Sequence, residues 1–299
     1  MSRVLVLGAT GMLGHTLCRV LAQRHGVVGT VRGHAKDYRS PLLEVPLYSY
    51  VDINNLNSVA GAIQMINPDI VINAIEMSKP TLDASNQDQT IAVNSLLPHK
   101  LAKYCQYHGA KLIHLSSDRV FAGTRGNYDE TSCPDATDWY GRTKSLGDVW
   151  NDHDLTLRVS YIGHELYLPG PARYPKKTGL LDWFLRQTWA PVPGFTQAFF
   201  SGMTTTAVAR TIDTIITDNP DLTGLYHVAG PKISKHDLLT LINDRFKIHA
   251  TIEPAPGFVI DQSLNDDRFR AATKIEKPTW PEMIDDLYAE QFLYTAAQP

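Results

Sequence analysis

Tyr140 and Lys144 stand four residues apart in Trp139-Tyr140-Gly141-Arg142-Thr143-Lys144, and on a helix that spacing puts a phenol and an ammonium on one face. A free tyrosine has a pKa of about 10, so at neutral pH it donates its proton poorly until a neighbouring positive charge favours the phenolate. Lys144 is expected to be that charge. The spacing recurs at Tyr107 and Lys111, but Gly109 and the apolar run after it break any helix there, so context selects Tyr140 and Lys144. A second candidate is Gly8-Ala9-Thr10-Gly11-Met12-Leu13-Gly14. Glycines at this spacing permit a tight turn and let backbone N–H groups approach a pyrophosphate at a helix N-terminus, with Gly8, Thr10, Gly11, Met12, Leu13 and Gly14 as candidate contacts. The alternative is a turn that merely packs helix on strand. An apolar strand before the glycines and a helix after them favour the nucleotide.

These groups need a frame. Val4-Leu5-Val6-Leu7, closed by Gly8, suits a central parallel strand buried on both faces. A helix is predicted over 12–24 and a second strand over 27–31. Just beyond that strand stands Arg32, where an acidic residue would bind the 2′-hydroxyl of NAD and a guanidinium fits the 2′-phosphate of NADP. A solvated surface arginine is the alternative. Residues 33–49 lack a clear period and read as loop with one short strand, after which Val51-Asp52-Ile53 and a helix over 55–66 restart the pattern. The strand 70–74 follows, with Asn73 at the carboxyl edge where open α/β sheets bind ligands. A long helix over 82–107 carries Asn94, near Val93 and Leu96, which is either solvated or buried with a polar role. The strand 111–115 ends in Ser116-Ser117-Asp118-Arg119, and a loop rich in Gly, Pro and Asp leads to the Tyr140 helix, predicted over 138–151. A strand over 155–159 completes six alternations, which argues for a doubly wound parallel sheet of the Rossmann type in an α/β fold.

After Ser160 the rhythm changes. Leu168-Pro169-Gly170-Pro171 and Ala190-Pro191-Val192-Pro193-Gly194 interrupt the pattern on either side of a helix over 180–189. A further strand is predicted over 225–229, a helix capped by Ser234 runs to Phe246, and 278–288 is helical. The expected division is a cofactor-binding domain over 1–160, rejoined by the strand near 225–229, and a mainly substrate-binding region over 161–299 whose proline and aromatic content suits a cap.

A chain of 299 residues with 43% apolar and 20% charged residues is expected to fold throughout, as one large domain or two joined ones. A net charge of −3 argues against nucleic acid. Cys18, Cys105 and Cys133 are odd in number and form no Cys-x-x-Cys pair, which suits a reducing compartment. No signal-peptide pattern and no apolar run near the ~18 residues of a membrane span is present, so a cytoplasmic protein that does not enter membranes is expected. The histidines lack metal-ligand spacing, and no metal is assigned.

With these residues placed, the sequence resembles the extended short-chain dehydrogenase/reductase superfamily and, within it, the dTDP-4-dehydrorhamnose reductase family of nucleotide-sugar reductases. The carriers are Gly8-Ala9-Thr10-Gly11-Met12-Leu13-Gly14, Asn73-Ala74, Val93-Asn94, the run from Leu115 to Gly123, Tyr140-Gly141-Arg142-Thr143-Lys144, Leu157-Arg158 and Tyr226-His227-Val228-Ala229-Gly230. The resemblance implies that Ser117, Tyr140 and Lys144 fill the Ser/Thr-Tyr-Lys positions. It also implies that Asp52 and Ile53 flank the adenine, and that Asn73 and Ala74 line the cofactor cleft. Ser117, Asp118, Arg119 and Tyr161 fall near the sugar. The chain departs from the family at Arg119, where a tyrosine is usual, at Ala122 for an aspartate, at Met77 for an aromatic residue and at Tyr161 for a tryptophan. The implied activity is NADP-dependent reduction of a nucleotide-linked 4-keto-6-deoxysugar in polysaccharide biosynthesis, with NAD as the alternative cofactor. A nucleotide-sugar epimerase, a non-catalytic nucleotide-binding regulatory subunit and a homodimer remain open.

Overall fold

The computed structural model describes residues 1–78, 86–168 and 179–296. Its centre is β1, Arg3–Leu7, in which Val4, Leu5, Val6 and Leu7 are all fully buried. Alternate side chains leave a strand on opposite faces. Val4 and Val6 accordingly pack with Leu13, Leu17 and Leu21 of α1, Met12–Leu21. Leu5 and Leu7 pack on the other side with Val59 and Ile63 of α2, Leu56–Ile66, and with Leu101 from 97–107. One continuous apolar run thus feeds two cores, as a sheet covered on both faces requires.

Around β1 lie β2, Gly26–Thr30, β3, Leu47–Tyr48, β4, Ile70–Asn73, β5, Lys111–Ser116, and β6, Leu155–Val159. The sheet has seven strands in the order Gly224–Val228, β6, β5, β4, β1, β2, β3, and every pair is parallel. Because β1 has β2 on one side and β4 on the other, the chain reverses direction across the sheet there. The crevice at this switch point opens outside the ends of β1 and β4, beside Gly8 and Ala74.

Several elements differ from expectation, each for a local reason. Leu47–Tyr48 is the short strand expected within 33–49, but Val51-Asp52-Ile53 forms no strand, because the Asp52 carboxylate accepts from the Asn54 backbone 2.9 Å away and turns the chain into α2. The long helix comprises α3, Gln87–Thr90, a π-helical stretch, Ile91–Leu96, and α4, Leu97–Tyr107. Its expected start at 82–85 lies outside the described residues, as do 169–171. The Tyr140 helix, α5, is Trp139–Leu146, capped by Asp138 and stopped at Gly147, where a Cβ would lie 1.9 Å from the Asn94 carbonyl oxygen. The helix from Leu180 ends at Phe184. Trp189 then takes a φ of 61° and stacks on His249 as the chain turns into a strand. That strand, Pro191–Phe195, contains the very prolines expected to interrupt structure. It pairs in parallel with Thr251–Ala255 in a two-stranded ribbon, an edge position that tolerates missing N–H donors. The helix Thr205–Asp218 was not anticipated, since its threonines and β-branched residues have low helix propensity. It is held by burying Val208, Ile212 and Ile215 in the core that α1 shares and by the Arg24–Asp213 ion pair at 2.8 Å. The final helix runs on to 296 as Trp280–Ala296.

The glycine turn depends on close backbone approach. A Cβ on Gly14 would lie 2.0 Å from the Gly8 carbonyl oxygen. Gly14→Ala is expected to cost about 1–3 kcal/mol through overpacking. The measurement is a urea melt, and a parent-like midpoint would show that the turn yields.

Candidate active site

The glycine turn brings backbone together as only glycine allows. Gly8 takes a φ of +85°, open to glycine, and its bare Cα faces Ile75 and Ala74 at the end of β4. Gly11 caps α1 without a side chain, so the first-turn N–H groups keep their positive end toward the crevice. A Cβ on Gly8 or Gly14 would press into the backbone of Ala74 or of Gly8, and a turn this tight at the start of a helix fits a dinucleotide pyrophosphate. Arg32 is exposed just past the carboxyl end of β2. Asp52 and Ile53 follow Val51, whose N–H donates to the Val31 carbonyl just past β2 at 3.0 Å; Asp52 is engaged with Asn54 and Ile53 packed on the α2 core. Asn73 is fully buried: its amide donates to His114 at 3.1 Å and its carbonyl accepts from the Ile75 backbone at 3.2 Å, so its side chain shapes the turn from below.

At the ends of β4, β5 and β6 the structure brings Ser117, Tyr140, Lys144 and Tyr161 together, around a residue the sequence reading passed over. Tyr140 donates its phenolic hydrogen to Glu76 Oε2 at 2.8 Å, and Lys144 Nζ lies 3.8 Å from the same oxygen. The Lys144 ammonium, 1% exposed, donates to the Leu115 carbonyl at 2.8 Å. Lys144 does not set the direction of the phenol's pKa in this site. Burial first, and the Glu76 carboxylate next, push Tyr140 well above its ordinary range, with the Ser117 hydroxyl pulling the other way. Burial holds Lys144 below its usual value, opposed by Glu76 and Asp148. Tyr161 is likewise pushed well up, by burial first and then by Glu76 and Glu165. The other Tyr-x-x-x-Lys match is dispersed: Tyr107 is exposed and Lys111 donates to the Pro220 carbonyl.

Asp118 and Arg119, next after Ser117 in sequence, line a cavity of about 450 Å³ together with Ser160, Trp183, Phe199, Phe200 and Phe258. Lys235 also lines it, with its ammonium 3.6 Å from the Phe200 ring centroid. Burial lowers Lys235 to about 8 and raises Asp118, whose shift Arg119 and a Ser160 hydrogen bond oppose.

A shell of buried polar contacts holds these groups. Asn94, 1% exposed, accepts from the Met77 N–H at 2.8 Å and donates to the Met77 carbonyl at 3.0 Å, clamping the residue after Glu76. Ser95 donates to the Thr143 carbonyl at 2.9 Å, which seats α5 on the π-helical stretch. Asp148 pairs with Arg158 of β6 at 2.7 Å and accepts from Ser116. His227 donates through Nδ1 to the Tyr128 carbonyl at 2.9 Å, so its Nε2 is left to accept from Arg158 at 3.3 Å. Glu76 and Lys235 had a findable signal: a charge three residues past Asn73 at a strand's carboxyl edge, and a lysine opening the helix that Ser234 caps. The aromatic lining had none, because its members are scattered along the sequence.

The family model described as RmlD substrate binding domain matches residues 2–162. The chain belongs to that family. A probable low-salt glycan biosynthesis reductase, Agl14, of Haloferax volcanii is 35% identical over 164 residues, 52% of each chain, so the match spans about half that relative's length. Methionine adenosyltransferase 2 subunit beta of Xenopus tropicalis is 30% identical over 82% of this chain and 72% of its own. A dTDP-4-dehydrorhamnose reductase of Aggregatibacter actinomycetemcomitans is 25% identical over 86% and 83%. Among solved structures, dTDP-4-dehydrorhamnose reductase of Bacillus anthracis in complex with NADP superposes with a TM-score of 0.74 at 21% identity, over 97% of this chain and 99% of that one. That likeness shows the fold: an α/β Rossmann-like parallel sheet flanked by helices.

Asn94 makes a direct prediction. Asn94→Ala strands the half-buried Met77 N–H and carbonyl, and is expected to cost about 1–3 kcal/mol. Chemical denaturation measures it, and an unchanged midpoint would remove the clamp from the account.

Proposed function

We propose that this chain is an NADP-dependent oxidoreductase that reduces the ketone of a nucleotide-linked 4-keto-6-deoxysugar, in the assembly of a polysaccharide or glycan. The observation that carries the reading is the convergence of Ser117, Tyr140 and Lys144 at the carboxyl edge of the sheet, next to the glycine turn. Relatives named as reductases support it, and so does the NADP held by a protein of the same fold. In this reading residues 1–160 hold the cofactor and 161–299 mainly hold the sugar nucleotide. The pyrophosphate lies on the turn from Gly8 to Gly14, and Arg32 receives the 2′-phosphate.

NADPH, when bound, supplies the hydride. The protein supplies position and proton. Tyr140 gives its phenolic hydrogen to the oxygen of the reduced carbonyl, and Ser117 hydrogen-bonds the same oxygen. Lys144 holds the nicotinamide ribose, while its charge offsets that of Glu76. Asp118, Arg119 and Tyr161 meet the sugar. The 30% identity to a subunit named within methionine adenosyltransferase favours a second reading, a nucleotide-binding regulatory subunit. A pure binder has no need of a phenol, an ammonium and a hydroxyl in one place, so chemistry is preferred.

Titration with NADPH followed by a panel of keto-sugar nucleotides separates the two readings. Tyr140→Phe is expected to bind NADPH as the parent does and to lose turnover about 10²–10⁴-fold, the usual contribution of a positioned acid. Near-parent turnover would overturn the assignment. Arg32→Asp is expected to reverse a preference for NADPH over NADH, because it exchanges a phosphate-binding fork for a repelling carboxylate. Equal cofactor affinities in parent and variant would remove Arg32 from the site.

A further inference from the structure

Glu76 meets the phenol that the reading above makes the proton donor. Its Oε2 accepts the hydrogen that Tyr140 must donate, at 2.8 Å, and the Lys144 ammonium stands 3.8 Å away. The two partners differ in access to water: Tyr140 is 6% exposed, whereas the Glu76 side chain is 29% exposed. The segment bearing Glu76 is fixed, since Asn94 clamps Met77 at both backbone groups and Asn73 fixes the Ile75 N–H. The titratable and polar groups facing the phenol are Glu76 from the segment after β4, Tyr161 from beyond β6, and Ser117 from the end of β5. Lys144 stands one turn along the same helix, near Glu76 and Asp148.

We propose that Glu76 is the proton relay of Tyr140, holding the phenol as an acid between turnovers and passing a proton from solvent to the phenolate after each reduction. This rests on the reductase reading above. The steps balance. The phenol O–H bond breaks as the oxygen of the reduced carbonyl takes the proton, leaving a phenolate. A proton from water adds to the Glu76 carboxylate, and the carboxylic O–H then breaks as the phenol O–H re-forms. One solvent proton is consumed for each carbonyl reduced, and the carboxylate is regenerated. In such a site a negative charge keeps the phenol protonated, while the lysine four residues on acts first as a counter-charge to Glu76. Glu76 is thus a positioning and relay residue, acting on the carbonyl through Tyr140.

The test compares the full-length parent, Glu76→Gln, which keeps the volume and a hydrogen bond without carrying a proton, and Glu76→Asp, which keeps the acid. For Glu76→Gln the expectation is NADPH affinity and KM near the parent's and kcat lower by about 10²-fold. Loss of the negative charge should also move the alkaline limb of kcat down by about one to three pH units. Formate added to Glu76→Gln, or the shorter acid in Glu76→Asp, is expected to restore part of the rate. The ionisation of Tyr140, read as tyrosinate absorbance against a Tyr140→Phe baseline, should likewise begin at lower pH in Glu76→Gln. A parent-like kcat with an unmoved alkaline limb overturns the relay while leaving the reductase reading intact. A loss of rate that neither formate nor Glu76→Asp relieves, with no shift in Tyr140 ionisation, also overturns it. If the parent reduces no keto sugar, the reductase reading falls and the relay falls with it.

Discussion

A buried ammonium organises this protein. Lys144 is 1% exposed, and moving an unpaired charge out of water is among the most costly things a fold can do. The cost is offset by two oxygens in fixed places: the Leu115 carbonyl near the end of β5 at 2.8 Å, and the Glu76 carboxylate beyond the end of β4 at 3.8 Å. Those oxygens can serve only if α5 lies across the carboxyl edge of the sheet. The buried contacts nearby meet that requirement. Ser95 holds the Thr143 carbonyl, Gly147 lets the helix end against Asn94, and the Asp148–Arg158 pair ties the residues after α5 to β6. Removing one partner of such a buried pair typically costs about 3–5 kcal/mol, which makes these positions structural as well as chemical.

The same arrangement reverses the simple view of a tyrosine tuned by a lysine. In isolation the pair would lower the phenol's pKa. Placed in a desolvated site with Glu76 closer to the phenol oxygen than to the ammonium, the balance shifts toward a protonated phenol. That is the form a reduction needs in its proton donor. The carboxylate is partly exposed and the phenol is not, so of the two it is the carboxylate that meets solvent.

The cavity shows a different principle. Asp118, Arg119 and Ser160 come from strand ends, while Trp183, Phe199, Phe200 and Phe258 come from short, irregular elements after the sixth strand. Apolar walls with a few charged groups are the usual make-up of a small-molecule site, because burial supplies affinity and the charges set orientation. Here those charges are Lys235, Asp118 and Arg119, and Lys235 and Asp118 shift toward their neutral forms.

The sequence by itself determined the parallel sheet, because the run Val4 to Leu7 is apolar at every position and only a sheet covered on both faces buries it so. It likewise determined the glycine turn, the Tyr140 and Lys144 pair, and the returning strand, found at Gly224–Val228, since each is written in a local spacing. Tertiary structure decided what local spacing cannot encode. The helix Thr205–Asp218 forms against its own propensities by burying one face in the core shared with α1, and Pro191–Phe195 becomes a strand because an edge forgives its prolines. Glu76 reaches Tyr140 across 64 positions of sequence. The sign of the phenol's pKa shift follows from that meeting, since it depends on which charge lies nearer in a dry site, and distance through space is a property of the fold.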